Sequence, residues 1–85
     1  MKKSEEQLVK EEQIRIENML FLKFGQIQLS KQITAKLMGF SASKLDKLRG
    51  MGLCIPYSKE TETSNVMYSI TDIAKYLSEK KIKTA

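Results

Sequence analysis

The positively charged side chains of this sequence are concentrated in one segment, residues 30–50. That segment carries five lysines and arginines against a single acid, Asp46, and so holds +4 of the net charge of +5. Residues 1–24 sum to zero, and residues 51–85 contribute +1. A cationic cluster can bind phosphate groups, because neutralising them releases bound counterions. A lysine-rich surface that only keeps a protein in solution has the same composition, so charge alone leaves both interpretations open.

The sequence lacks the residues that metal binding and nucleophilic catalysis commonly require. The chain has no histidine and one cysteine, Cys54, which excludes Cys/His zinc sites and histidine-assisted nucleophilic catalysis. Cys54 lies in an apolar run, where a small buried hydrophobic residue is the simpler interpretation. Five of the ten acids lie within residues 5–17, which is typical of a solvated helix face. We therefore predict no enzymatic activity, no metal and no cofactor.

The apolar residues are distributed as in a water-soluble chain. No stretch approaches the roughly 20 apolar residues that span a bilayer. The longest apolar run, residues 19–22, is followed by Lys23 and preceded by an acidic segment, unlike a secretory signal. A lone cysteine fits a reducing compartment. We expect a cytoplasmic protein of one small domain that makes no contact with a membrane.

Residues 4–24 have the pattern of one long helix. Ser4 and Gln7 have the spacing of a capping box, and Gly25 is the first residue that would end the helix. The segment carries more apolar side chains than one helix face needs. We therefore expect residues 1–24 to be a packing or oligomerisation element, with the helix over residues 4–24 joining two copies into a homodimer.

The expected homodimer divides the apolar residues of this helix into two groups. Residues 20–24 should fold back on the domain, whereas the distant end should contact the second copy through Leu8, Val9 and Ile16. A monomer whose N-terminal helix only covers its own domain is the alternative.

Two short helices are predicted next, over residues 31–38 and 42–49. Ser30 and Ser41 are favourable N-caps, and Gly39 permits the tight turn between the helices. The small Ala35, the turn glycine and the inward apolar residues have the spacing of a helix-turn-helix pair. Those inward residues are Phe40, Leu45 and Leu48.

The second of these helices has a polar outward face. At roughly 100° per residue, the inward direction is set by Leu45 and Leu48. The side chains that point most nearly opposite, or flank that direction, are Ser43, Lys44, Asp46, Lys47 and Arg49. Such a face suits the major groove, where base edges lie in the middle and phosphates at the sides. Asp46 is the exception: it could accept from a cytosine amino group or orient a lysine, but it repels phosphate.

The C-terminal third predicts two strands and a helix. Residues 53–57 and 66–70 should form a β-hairpin around a polar loop, with Pro56 at an edge or strand end. Thr71 should cap a last helix over residues 72–81, followed by a frayed tail over 82–85. The core should bury together Leu45, Leu48, Ile70, Ile73 and Leu77.

Two short motifs accompany these elements. Gly52-Leu53 and Pro56 follow the second short helix, and the last helix opens with Tyr68, Ser69, Asp72 and Ile73. In this order, positions 29–78 resemble the DNA-binding domain of the MerR-like and excisionase-like winged helix-turn-helix family. The resemblance implies a mainly α fold with a small β-hairpin, in which a winged helix-turn-helix domain over residues 25–81 follows a long N-terminal helix.

The resemblance also implies a function. The protein would bind double-stranded DNA sequence-specifically, as a transcriptional regulator or an excisionase-like recombination cofactor, with the helix over 42–49 in the major groove. The predicted contacts are Lys31, Ser41, Ser43, Lys44, Asp46, Lys47, Arg49 and Lys59. The DNA would be bound by Lys44, Lys47 and Arg49, and a phosphate would be bound by Lys31.

The sequence departs from this family in two respects. Val66 and Met67 stand where the family often has an arginine before the wing tyrosine, and the wing loop holds two acids. Lys59 is therefore the one wing contact that we nominate. The long C-terminal helix and effector domain of MerR regulators have no counterpart here, so we predict no small-molecule effector.

Two other classes of function fit parts of the same sequence. A winged helix can act as a protein–protein adaptor without binding DNA, and the apolar N-terminal helix would suit that role. A helical oligomerisation domain with solubilising lysines is the third interpretation. Neither of these needs its excess charge gathered on the helix pair, so the charge distribution favours DNA binding.

Overall fold

A computed structural model describes residues 4–59 and 65–84 of the chain. The described residues form four helices and two short strands, in the order α1 (Glu5–Phe24), β1 (Gln28–Ser30), α2 (Lys31–Met38), α3 (Ala42–Gly50), β2 (Met67–Ser69) and α4 (Ile70–Thr84). The two strands pair antiparallel in one small sheet. The prediction of a mainly helical fold with a small antiparallel sheet is therefore confirmed.

Local capping interactions explain where the first three helices begin and end. The Ser4 hydroxyl accepts from the Gln7 backbone at 3.2 Å while the Gln7 side chain accepts from the Ser4 backbone at 3.0 Å, which completes the capping box. Ser30 and Ser41 each accept from the backbone N–H three residues on. Gly39 ends α2 in the left-handed region, at φ 83°, which an L side chain rarely adopts.

The last helix begins earlier and ends later than predicted. Ser69, rather than Thr71, caps α4: its hydroxyl accepts from the Asp72 backbone at 3.1 Å and donates to the Asp72 carboxylate at 2.8 Å. The Thr71 hydroxyl instead donates to Glu17 of α1 at 2.8 Å. The helix continues to Thr84, through positions predicted as a frayed tail, and Ala85 lies outside the described residues.

The predicted β-hairpin is wrong in its strands and their pairing. Residues 53–57 form no strand, and β2 pairs instead with β1, with Leu29 opposite Tyr68. Ser58, the first residue of the predicted loop, forms one antiparallel bridge with Met67: the Ser58 N–H donates to the Met67 carbonyl at 2.9 Å, and the Met67 N–H donates to the Ser58 carbonyl at 3.0 Å. Pro56 has no N–H to offer a ladder. Most of the predicted wing loop, residues 60–64, lies outside the described residues.

The long helix α1 packs along α4. Glu17 accepts from Thr71, and Glu12 accepts from Lys81 of α4 at 3.0 Å. Leu20 is buried in the core, and Ile16 packs against the same core. Ile16, which we predicted to contact a second copy, therefore contacts its own chain.

The core lies where the sheet meets the three later helices and the end of α1. Its fully buried large apolar side chains come from four elements and are Leu29, Leu45, Tyr68 and Ile73. Ile70 is buried with them, and Leu77 packs against the cluster. The prediction for Leu48 is wrong, because this side chain is only half-buried and lies outside the core cluster.

Candidate nucleic-acid interface

Helix α3 buries one side chain in the core and presents the opposite face to solvent. Leu45 has 0% exposure and belongs to the core cluster. Ser43, Lys44 and Lys47 are exposed. Because positions two residues before or after Leu45 lie on the far side of a helix, burial of Leu45 orients Ser43 and Lys47 outward, and Lys44, one residue before Leu45, flanks that face.

The single acid of α3 is held by two cations. Asp46 accepts from the Lys31 ammonium of α2 at 3.0 Å and from the Arg49 guanidinium, one turn along α3, at 2.8 Å. The Lys31 ammonium, with Arg49 in support, lowers the pKa of the Asp46 carboxyl from its ordinary value. Lys31 and Arg49, predicted to contact phosphate directly, are therefore engaged within the protein, and the suggested role of Asp46 in orienting a lysine is realised with Lys31.

Aromatic side chains support Arg49 from the other side. Its guanidinium carbon lies 5.7 Å from the centre of the Tyr57 ring. The Tyr68 hydroxyl and the Asp46 carboxylate beside Arg49 raise the pKa of the guanidinium. Burial raises the pKa of the Tyr68 phenol, and the Cys54 thiol donates to its oxygen at 3.6 Å. Arg49 therefore joins α3 to β2 and to the segment after α3.

The remaining predicted contacts are spread over α3 and the segment that follows it. Lys47 forms no ion pair with any described residue. The ammonium of Lys44 lies 4.5 Å from the centre of the Phe40 ring. Ser41 is committed to capping, since its hydroxyl accepts from the Lys44 backbone at 3.1 Å. Lys59 is exposed next to the Ser58 bridge.

One lysine near this face was missed by the sequence analysis. Lys80 of α4 lies with its ammonium 5.9 Å from the centre of the Phe40 ring and 5.8 Å from that of Tyr76. The spacing of Tyr76 and Lys80, four residues apart on one helix, is the signal in the sequence that places them on the same face. Nothing local shows that Phe40 lies against that face.

The described residues contain no group of three His, Cys, Asp or Glu side chains placed to hold a metal ion. None of the helices in the described ranges has the length and apolar content needed to cross a membrane. The features that the structure brings together near α3 are thus cationic and aromatic side chains on a surface.

The chain matches no protein-family model, no curated protein and no solved structure. The likeness to MerR-like and excisionase-like domains therefore rests on the residues themselves. The function implied by this likeness depends on whether the exposed face of α3 can bind DNA.

Proposed function

We propose that the protein is a small sequence-specific DNA-binding protein, acting as a transcriptional regulator or an excisionase-like recombination cofactor, with α3 in the major groove. One observation carries the proposal: the only acid of α3, Asp46, is bound by Lys31 and Arg49. A carboxylate that would repel phosphate is thereby compensated, while Lys44 and Lys47 stay exposed.

The geometry of α3 supports this role. Its exposed face combines the short hydroxyl of Ser43 with the ammonium groups of Lys44 and Lys47. Short polar groups can approach base edges, and lysines can reach the phosphates at the sides of the groove. Leu45 at the back of the helix anchors that face to the core.

The winged arrangement is part of the same proposal. The Ser58–Met67 bridge closes the loop that would be the wing, and Lys59 follows directly on one side of it. A wing of this kind would place Lys59 on the phosphates beside the groove that α3 enters. The two acids of the loop make this contact weaker than those of α3.

The test is binding of the full chain to a random-sequence duplex, measured by fluorescence anisotropy across a range of salt concentrations. If Lys44, Lys47 and Lys59 each contact a phosphate, the slope of log affinity against log salt should be about −3 per protomer. Binding with a slope near zero would contradict phosphate recognition. Selection of a preferred sequence from a random pool would then test whether the protein reads bases.

Absence of binding even at low salt would overturn the proposal. The adaptor function would then be favoured, because α1 keeps exposed apolar side chains, including Ile14, Phe21 and Leu22. An adaptor does not need the compensated acid and cationic face of α3. DNA binding requires this cationic face and the adaptor function does not, so the two functions can be told apart by testing that face.

Homodimerisation through α1 belongs to the proposal as well. Ile16 and Leu20 pack on the chain itself, but Leu8, which we predicted to contact the second copy, is exposed. Phe21 and Leu22, which we expected to fold back on the domain, are exposed as well. The exposed apolar side chains of α1 available to a second copy are thus Leu8, Ile14, Met19, Phe21 and Leu22.

The first half of α1, residues 5–14, carries four glutamates against Lys10, whereas the second half carries Arg15 and Lys23 against Glu17. An antiparallel pair of α1 helices would set the acidic half of one against the basic half of the other. A dimer would also present two copies of α3 to successive major grooves, about 34 Å apart.

A further inference from the structure

A groove lies where the end of α1 meets α2. It is lined by Phe24 of α1 and by Ile33 and Leu37 of α2, together with Lys23 and Lys36. The three apolar side chains are half-buried and pack against the core, whereas both lysines are exposed. The groove therefore combines an apolar lining with two cations.

The two lysines of this groove keep their charge. Neither Lys23 nor Lys36 forms an ion pair with a described residue. The Lys23 ammonium lies 5.6 Å from the centre of the Phe24 ring, but an aromatic ring carries no net charge that could neutralise it. An occupant with an apolar side chain beside a carboxylate would match this groove.

The groove and the proposed DNA interface lie on different sides of α2. At roughly 100° per residue, Ile33, Lys36 and Leu37 fall on one side of the helix. Lys31, which binds Asp46 of α3, points in roughly the opposite direction. A partner in the groove would therefore leave the exposed face of α3 free.

The beginning of α1 carries the matching combination. Glu5 and Leu8 lie three residues apart, so they share one face of the helix. Leu8 is apolar yet 40% exposed. Glu5 is exposed and pairs with no cation in the described part of the chain.

We propose that the groove binds the first two turns of α1 from a second copy, with the partner subunit's Leu8 against Phe24 and the partner subunit's Glu5 beside Lys23 and Lys36. The inference rests on the proposed α1 homodimer and extends its interface to α2. The contact must come from another copy, because 16 helical residues hold Leu8 about 24 Å from Phe24 of the same chain.

The antiparallel arrangement of the proposed dimer fits this contact. Full overlap of two antiparallel α1 helices, each Glu5–Phe24, places residues 5–8 of one beside residues 21–24 of the other. A two-fold axis would fill both grooves in the same way, so each dimer would contain the contact twice.

The test is a charge exchange in the full chain, read as the dimer dissociation constant from sedimentation equilibrium without DNA. Glu5→Lys and Lys36→Glu should each raise that constant about tenfold, because each dimer would hold two such pairs. The double variant Glu5→Lys/Lys36→Glu should return to within about threefold of the wild type, since opposite charges face each other again.

The matched control is Glu6→Lys/Lys36→Glu, which has the same net charge as the wild type and as the first double variant. Glu6 lines the surface between α1 and α4 rather than the face that carries Leu8. Glu6→Lys should therefore fail to restore the dimer that Lys36→Glu weakens.

The outcomes separate this contact from the proposals beneath it. A dimeric wild type that neither Glu5→Lys nor Lys36→Glu weakens would refute the groove contact and leave the α1 dimer standing. Equal restoration by Glu5→Lys and Glu6→Lys would reduce the effect to overall charge and also refute the contact. A monomeric wild type would end both the dimer and this inference, while DNA binding is decided separately by the salt dependence of duplex binding.

Discussion

Helices α1 and α3 each hold an acid between two cations, one from the same helix and one from a neighbour. In α1, Glu12 binds Arg15 three residues on and Lys81 of α4. In α3, Asp46 binds Arg49 three residues on and Lys31 of α2. The same local arrangement thus fastens two different helices to the domain.

The two regions differ in what surrounds that arrangement. Around Glu12, the helix carries four further acids, so α1 presents a balanced or acidic surface. Around Asp46, α3 has no second acid, and Lys44 and Lys47 remain exposed. An acid held between two cations fixes a helix in either setting, but only in α3 does it leave a cationic face.

The largest expected effect tests whether both helices are anchored equally. Leu45 of α3 and Leu20 of α1 are buried at 0% and 6% exposure. Leu45→Ala and Leu20→Ala should each lower the free energy of unfolding by about 2–5 kcal/mol, as measured by urea denaturation. Leu48→Ala is the control in α3 and should cost less, because Leu48 is only half-buried. A negligible cost for Leu20→Ala would mean that α1 is not docked as α3 is.

The second prediction concerns the surface that α1 exposes and α3 does not. Leu22 is 83% exposed, so Leu22→Lys should leave the protomer folded while placing a charge in the proposed α1–α1 contact. Sedimentation should show a dimer for the wild type and a monomer for Leu22→Lys. Leu53→Lys makes the same change at another exposed leucine and should remain dimeric. A monomeric wild type would end the proposal of an α1 dimer.

The third prediction concerns DNA binding by variants that neutralise one of the two acids paired with cations, Asp46 or Glu12. Asp46→Asn releases Lys31 near the interface, so the salt slope should become steeper by about 1. Glu12→Gln releases Lys81 on the α1 side and should leave the slope unchanged. Equal slopes for the two variants would indicate that Asp46 has no special relation to the bound DNA.

The smallest expected effect is a pH dependence of stability. The Arg15 and Lys81 side chains lower the pKa of Glu12 from 4.5 to about 2. Because the folded state favours the carboxylate, its stabilising contribution is complete above about pH 4.5 and is lost as the pH falls toward about 2. Thermal unfolding monitored by circular dichroism should therefore show a shallower acid-induced decrease in Tm for Glu12→Gln than for the wild type. Glu5→Gln, which alters an exposed acid of the first turn, should retain the wild-type decrease.

Features set by residues close in sequence were predictable. The capping serines Ser4, Ser30 and Ser41 and the turn glycines Gly25 and Gly39 act within a few residues of their own positions. Their hydrogen bonds and backbone angles therefore follow from local chemistry. The beginnings of α1, α2 and α3 agree with the predictions for this reason. The start of α4 was also locally encoded, but in the Ser69–Asp72 pair rather than in Thr71.

Features that depend on distant partners were not predictable. The strand Met67–Ser69 pairs with Gln28–Ser30 rather than with the nearer run 53–57, because local β propensity does not select among partners. Lys31 and Asp46 are 15 residues apart, yet their pairing decides the charge of the α3 face. The approach of Lys80 to Phe40 likewise depends on how α4 packs.

The direct test of the proposed DNA interface is the salt dependence of duplex binding by Lys47→Ala and Lys75→Ala. Both lysines are exposed, but Lys47 lies on the outward face of α3, whereas Lys75 lies on α4 near Val9 of α1. Lys47→Ala should weaken binding and reduce the magnitude of the slope by about 1, while Lys75→Ala should match the wild type. Equal losses in the two variants, or no loss in either, would contradict a DNA interface centred on α3.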